Sequence, residues 1–169
     1  MIGFSANIGV REAVGGDAER LTEICAQSWR LAYTGIIPHQ KLNEVLRRRN
    51  AGWWRSSITR RDGLMVLEAM RTVAGYVQIG TARRGGRGRG EIFELYMAPD
   101  HQGVGLGELL FEAARCRLDE AGLNGLTVGV LAENRIARGF YERRGGRVAR
   151  QSIDHSLGTP LPKVHYEWG

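Results

Sequence analysis

Apolar and polar residues follow two rhythms along this chain, and the change from one to the other falls near Gly63. Ahead of it, Leu21, Ile24, Cys25 and Ala32 recur at intervals close to three and four residues, which predicts an amphipathic helix. Asp17 stands where an N-cap belongs, Trp29 and Tyr33 close the helix and Gly35 ends it. A short strand from Ile8 to Ala13 precedes it. Pro38 opens a second helix, a position that suits a residue with no N–H to lose, and Leu42, Val45 and Leu46 form its stripe. Asn50 to Ile58 reads as a third helical piece, carrying Trp53 and Trp54.

Beyond Gly63 the apolar runs are short and rich in strand formers. Leu64 to Ala69 and Val73 to Thr81 predict an antiparallel hairpin turning at Arg71-Thr72. Glu91 to Met97 is a third strand, stopped by Pro99. Helical spacing then returns in Leu106, Leu109, Leu110, Ala113, Leu118 and Ala121, with Gly122 as C-terminal cap. Leu126 to Leu131 is a strand, and Asn134 to Arg144 a short helix ended by Gly145. Arg147 to Ile153 and Val164 to Trp168 are closing strands, with Pro160 and Pro162 in the loop between them. Strand, helices, three strands, helix, strand, helix, two strands is an α/β (α+β) order with mixed strand directions. Residues 1–169 read as a single domain, without internal repeat or linker.

Composition adds little to this and removes several classes. The chain has ordinary apolar and charged fractions, so disorder is not the default. No stretch approaches 18 apolar residues, so no spanning helix is expected. The N-terminus has no basic segment followed by an apolar run, so no secretory leader is expected, and two cysteines in helical patterns predict buried free thiols in a reducing cytoplasm. The formal charge of +6 favours anionic partners, a phosphate-rich cofactor among them. Much of the excess lies in Arg83-Arg84-Gly85-Gly86-Arg87-Gly88-Arg89, read as a solvated loop with spare charge. No aromatic residue interleaves these arginines, so base stacking has no platform there and a nucleic-acid partner is not expected. His39, His101, His155 and His165 are scattered, with neither metal-ligand spacing nor a nucleophile triad.

The most informative stretch runs Met97-Ala98-Pro99-Asp100-His101-Gln102-Gly103-Val104-Gly105-Leu106-Gly107. A strand ends, glycines alternate and a helix begins. Glycines let backbone N–H groups turn toward a ligand without Cβ atoms in the way, and a helix N-terminus adds partial positive charge. Together they suit a pyrophosphate. The third glycine comes one residue too early for a dinucleotide fingerprint, and the Gly-Lys-Ser/Thr of a P-loop is missing.

Gln102-x-x-Gly105-x-Gly107 resembles the signature of the GNAT superfamily of N-acetyltransferases. Leu95-Tyr96-Met97 resembles that family's central strand, and Asn134 and Tyr141 fall where it often carries an Asn-x6-Tyr pair. Trp29, Tyr33-Thr34-Gly35 and Pro38 are similar to a common bacterial branch. The resemblance implies a mostly antiparallel central sheet flanked by helices, with acetyl-CoA as cosubstrate. It implies that backbone N–H groups of Gln102, Gly103, Val104, Gly105, Leu106 and Gly107 hold the pyrophosphate. Leu95, Tyr96 and Met97 would flank the pantetheine arm where the central strand splays from its neighbour. A homodimer is implied by family habit.

Acetyl transfer to an amine needs a neutral amine, a polarised carbonyl and a proton for the departing thiolate. Deprotonating an alkyl amine of pKa about 10.4 near pH 7 costs about 4–5 kcal/mol. The resemblance assigns the thiolate's proton to Tyr141, an oxyanion-holding N–H to the neighbourhood of Met97 and a cofactor hydrogen bond to Asn134, itself a good N-cap residue. The general base is left between Glu94 and Glu91, which a regular strand places on opposite faces and a bulge would not. Trp29 and Tyr33, with Trp53 and Trp54, stand as acceptor-site residues. The acceptor is a primary amine of a small molecule or a peptide. Two other readings remain open: a GNAT-fold sensor that binds acyl-CoA without acetylating, and a basic nucleic-acid binder.

Overall fold

A computed structural model describes residues 7–84 and 88–169. Gly85, Gly86 and Arg87 of the basic stretch therefore lie outside the described residues. Seven strands form one sheet: β1 (Ile8–Glu12), β2 (Leu64–Ala69), β3 (Thr72–Thr81), β4 (Gly90–Met97), β5 (Leu126–Leu131), β6 (Arg147–Asp154) and β7 (Leu161–Trp168), in the order β1-β2-β3-β4-β5-β7-β6. Five helices flank it: α1 (Ala18–Tyr33), α2 (His39–Arg48), α3 (Ala51–Arg60), α4 (Leu106–Glu120) and α5 (Arg135–Arg143). Every neighbouring pair is antiparallel except β4 and β5. That parallel pair needs a crossover, and α4 supplies it. Among the described residues no helix is long and apolar enough to cross a membrane.

Each face of the sheet buries its own core. Leu110, Phe111, Ala114 and Leu118 of α4 pack with Val77, Ile92, Val128, Tyr166 and Trp168 on one side. Leu21, Ile24 and Cys25 of α1 pack with Leu42, Trp54, Val66 and Tyr76 on the other. Alternation along the strands sends successive side chains to these two cores.

Five details differ from the sequence expectations. Asp17 does not cap α1; its carboxylate takes Arg11 at 2.8 and 3.0 Å and the Val14 N–H at 2.8 Å. The α4 stripe runs through Phe111 and Ala114, while Leu109 is exposed. Cys116 is exposed on the opposite side of that helix, so only Cys25 is a buried thiol. The β2–β3 turn is Met70-Arg71, with φ of 52° and 66°, the left-handed pair of a type I′ hairpin turn. Finally, β7 starts at Leu161 and includes Pro162. That residue lies past the end of the β5 ladder, where its carbonyl accepts from Ala132 N at 2.8 Å and no N–H is required.

Arg83 and Arg89 are not spare charge either. Arg83 pairs with Glu91 at 3.0 Å and lies over the Phe93 ring at 4.7 Å. Arg89 donates to the Trp168 carbonyl at 3.3 Å and lies 3.6 Å from the Glu167 carboxylate, tying the loop to the end of β7.

Candidate active site

The parallel pair is short. Gly90, Glu91 and Ile92 pair with Leu126, Thr127 and Val128, and no further ladder joins the strands, although β4 continues to Met97 and β5 to Leu131. At that point β4 carries a bulge: Gln78 pairs with Glu94 but Ile79 with Ile92, so Phe93 is the extra residue. From there to Met97 the β5-facing edge of β4 has no strand beside it.

A cleft of about 690 Å³ opens along this edge. Leu95, Tyr96 and Met97 line it from β4, and Gln102, Gly103, Gly105 and Gly107 from the turn into α4. Asn134 and Tyr141 line it from α5. The side chains of Val104 and Leu106 do not: Val104 is exposed and Leu106 belongs to the core. The sequence expectation for those two concerned only their backbone N–H groups.

The turn is built to leave N–H groups open. Gly103 and Gly105 have φ of 78° and 83°, and a Cβ built on either meets nothing within 4 Å. Gly107 differs, because a Cβ there would lie 3.2 Å from the Phe140 ring; its smallness serves packing of α4 against α5. Gln102 Nε2 donates to the Met97 carbonyl at 3.1 Å and ties the turn to the strand end. The first backbone N–H of α4 to find a carbonyl is Leu109, donating to Gly105 at 3.4 Å. Among the described residues, the N–H groups from Gly103 to Glu108 have no backbone acceptor. Such a row at a helix N-terminus is a site for an anion.

The opposite end of the cleft is aromatic. Tyr141 is packed by Phe111, Phe140, Tyr166 and Trp168, and its hydroxyl makes no hydrogen bond among the described residues. Burial, aided by nearby Tyr33, raises its pKa well above the ordinary phenol value, so it stays protonated at neutral pH. Asn134 Oδ1 accepts from Ala137 N at 3.2 Å and caps α5. The Tyr33 and Tyr96 hydroxyls share a hydrogen bond of 2.5 Å.

Residues 22–146 match the Acetyltransferase (GNAT) family. The chain belongs to this family of acetyltransferases. The uncharacterized N-acetyltransferase YuaI of Bacillus subtilis is 26% identical over 163 residues, covering 95% of this chain and 92% of the relative. The peptidyl-lysine N-acetyltransferase YjaB of Salmonella typhimurium is 35% identical over 71 residues, 42% of this chain and 46% of the relative. Among solved structures, the PaiA N-acetyltransferase of Thermoplasma acidophilum, in complex with coenzyme A, superposes with a TM-score of 0.77 at 20% identity, covering 95% of this chain and 99% of that one.

The remaining expected residues of this GNAT chain fall outside the cleft. Glu94 is half-buried and ion-paired with Arg49 at 2.8 Å. The Arg49 guanidinium lies over the rings of Trp53 at 4.3 Å, Trp29 at 5.3 Å and Trp54 at 5.7 Å. Trp29 and Trp53 thus serve a buried cation, a favourable arrangement for a guanidinium. Cys25 lies in the same cluster; burial, followed by the charge of Glu94, pushes its thiol up to about 12 and leaves it unreactive. Glu91 sits on the paired part of β4, held by Arg83. Because of the bulge at Phe93, Glu91 and Glu94 face the same side of the sheet, the side of α1 and its neighbours.

Several lining residues were not singled out from the sequence. Ser28, Leu31 and Ala32 of α1 border the cleft, as do Arg135, Phe140, Arg143 and Arg144 of α5. Arg144 lies 3.7 Å above the Phe140 ring. The α5 arginines carried a signal, since Arg135 and Arg143 are eight positions apart, which brings them to one helix side. Arg49 carried none, because its partner is 45 residues away.

Proposed function

We propose that this protein is an N-acetyltransferase that moves an acetyl group from acetyl-CoA directly to a primary amine of a small molecule or peptide. The observation that carries this reading is one cleft joining a row of free N–H groups from Gly103 to Glu108, the open edge of β4 and the unpartnered Tyr141 hydroxyl. The first suits a pyrophosphate and the second an amide-bearing arm. The third is a proton donor that burial keeps protonated. The cleft's α5 arginines add positive charge for phosphates. The family match and the coenzyme A complex of the PaiA structure agree with acetyl-CoA as donor. The name of YjaB, a peptidyl-lysine enzyme, keeps a peptide acceptor within the proposal.

In the reaction the amine nitrogen forms a bond to the acetyl carbon and the carbon–sulfur bond breaks. The nitrogen gives up a proton and the sulfur leaves as thiolate. Tyr141 donates to the sulfur. A backbone N–H near Met97 faces the acetyl oxygen. The amine's proton is assigned to one of the two strand carboxylates, Glu94 or Glu91, neither of which lines the cleft itself. Two free thiols agree with a reducing cytoplasm.

Amine-dependent release of free thiol from acetyl-CoA tests the reading. Tyr141→Phe should lower turnover about 10²–10⁴-fold with little change in acetyl-CoA affinity. Acetyl-CoA binding without thiol release from any amine would mean a sensor instead. Near-normal turnover in Tyr141→Phe, with chemistry rate-limiting, would take the phenol out of the mechanism.

A further inference from the structure

The helices leave part of the sheet bare. On the side that carries α1, α2 and α3, a hollow of about 590 Å³ lies over β4, β5, β7 and β6. Its floor includes Phe93 and Gly129. Ile92 and Val128 form the last β4–β5 pair, so these two are the first residues beyond it on each strand. The hollow therefore abuts the place where the strands part. Leu95, in the wall of the cofactor cleft, is two residues further, roughly 7 Å along the strand.

The charges in the hollow do not balance. Arg83, Arg84, Arg150 and Lys163 face two carboxylates, Glu91 and Asp154. Arg83 is taken by Glu91 at 3.0 Å, and Lys163 stands a looser 3.8 Å from Asp154. Arg84 and Arg150 have no carboxylate partner among the described residues. His165 adds no compensating charge. Its Nδ1 faces Arg150 Nη2 at 3.2 Å and so accepts, while Nε2 meets Ser152 Oγ at 2.8 Å. Burial, then the charges of Arg150 and Lys163, hold its pKa below the ordinary value and keep it neutral at pH 7. Gly129 is what lets these groups reach the gap. A Cβ there would lie 2.7 Å from Lys163 Cε and 3.4 Å from the His165 ring. Two positive charges without a carboxylate partner at the rim of a concave site attract an anion.

We infer that this hollow holds a carboxylate of the acceptor, so that the amine acetylated is that of a small molecule bearing an acid group several bonds from its nitrogen. The inference rests on the acetyl-transfer reading and adds the substrate class. The nitrogen sits at the parting of β4 and β5, and the carboxylate receives hydrogen bonds from Arg150 and Lys163. An arginine fork matches a carboxylate with two parallel N–H groups. A peptide lysine without a nearby acid leaves Arg150 unanswered.

Two measurements test this. The first compares thiol release for straight-chain ω-amino acids, from β-alanine and γ-aminobutyrate upward, with n-alkylamines of the same lengths. At one length or more, the acid-bearing amine should have a kcat/KM about tenfold higher or better. Arg150→Met, an exposed substitution on β6, should abolish that preference by raising KM for the acid, and should leave the alkylamine unchanged. Equal or better turnover of the alkylamine at every length, or an Arg150→Met effect shared by both series, overturns the inference. The second needs no turnover. Butyrate is titrated while the His165 imidazole resonances are followed, and a saturable shift is expected that disappears in Arg150→Met. If butyrate moves His165 but no amine releases thiol, the anion site stands and the acetyl-transfer reading falls. If alkylamines release thiol and butyrate moves nothing, the transferase reading stands and the carboxylate site falls.

Discussion

Arg49 Nη1 lies 2.8 Å from Glu94 Oε2, and both side chains are largely sealed from solvent beneath α1 and α3. Both charges are poorly hydrated, so removing one strands the other. Arg49→Met should cost about 3–5 kcal/mol, because Glu94 would remain poorly hydrated and unpaired. Adding Glu94→Gln to it should restore much of that loss, since the stranded charge is then gone. Urea melts of the two single variants and the double variant measure the coupling. A double variant no more stable than Arg49→Met would show that the packing of Arg49 on the tryptophans matters more than its charge.

The row of free N–H groups ahead of α4 should be readable as ligand-dependent stability. Acetyl-CoA at about 100 times its dissociation constant stabilises by roughly 2.7 kcal/mol, which for a chain of this size raises Tm by about 5–11 °C. Gly105→Asp sets a negative charge in open space before the helix and should remove nearly all of that shift. Its Tm without ligand must be measured alongside, because Gly105 has φ 83° and any side chain there is strained. No shift for the wild-type protein with acetyl-CoA or coenzyme A would refute the donor assignment; a full shift in Gly105→Asp would move the pyrophosphate elsewhere.

Asp17 should govern part of the acid limb of stability. Burial alone would raise its pKa, but hydrogen bonds from Arg11 and the Val14 N–H outweigh that and bring it below 3.8. A depressed folded pKa means the contribution is complete above the unfolded value of 3.8 and is lost as pH falls through the folded one. Asp17→Asn should therefore be less stable than wild type at pH 7, with the gap narrowing below pH 3.8. Melting curves across that range would expose a constant gap if the effect were steric.

The Met70-Arg71 turn offers a stabilising change. Both residues are left-handed, which costs an L side chain roughly 1–2 kcal/mol each, and Met70 is exposed with no core packing to lose. Replacing the pair by Asn-Gly should raise Tm by about 2–4 °C, the equivalent of ~1 kcal/mol. An unchanged or lower Tm would mean that these side chains contribute more than their exposure implies.

Element boundaries were legible wherever glycine or proline punctuates the chain, as at Gly63, Pro99, Gly122 and Gly145. Asn134 was legible as a cap because its role is local: it accepts from an N–H three residues on, as Asn50 also does. Asp17 has the same chemistry but a stronger partner in Arg11, across a strand that local reading does not see. The α4 stripe was misread by one position because Leu109 and Phe111 are both apolar and only the neighbouring helix decides between them. Phe111 wins through its contacts with Phe140, Tyr141 and Trp168. The glycine turn into α4 was legible because its glycines lie together in sequence. The hollow was not, since Arg84, Gly129, Arg150 and His165 come from four separate segments.

The brevity of the β4–β5 ladder has a mechanical meaning. Seven strands count as one sheet, yet only three residue pairs of backbone ladder join β1 to β4 with β5, β7 and β6, and the core beneath α4 does the rest. The molecule is two leaves bound along a short spine. A guest lying in the open margin touches both leaves at once, so it acts as a stitch, fixing their spacing where backbone hydrogen bonds do not. The leaves part at Phe93 and Gly129, so whatever fills that gap sets the aperture between cleft and hollow.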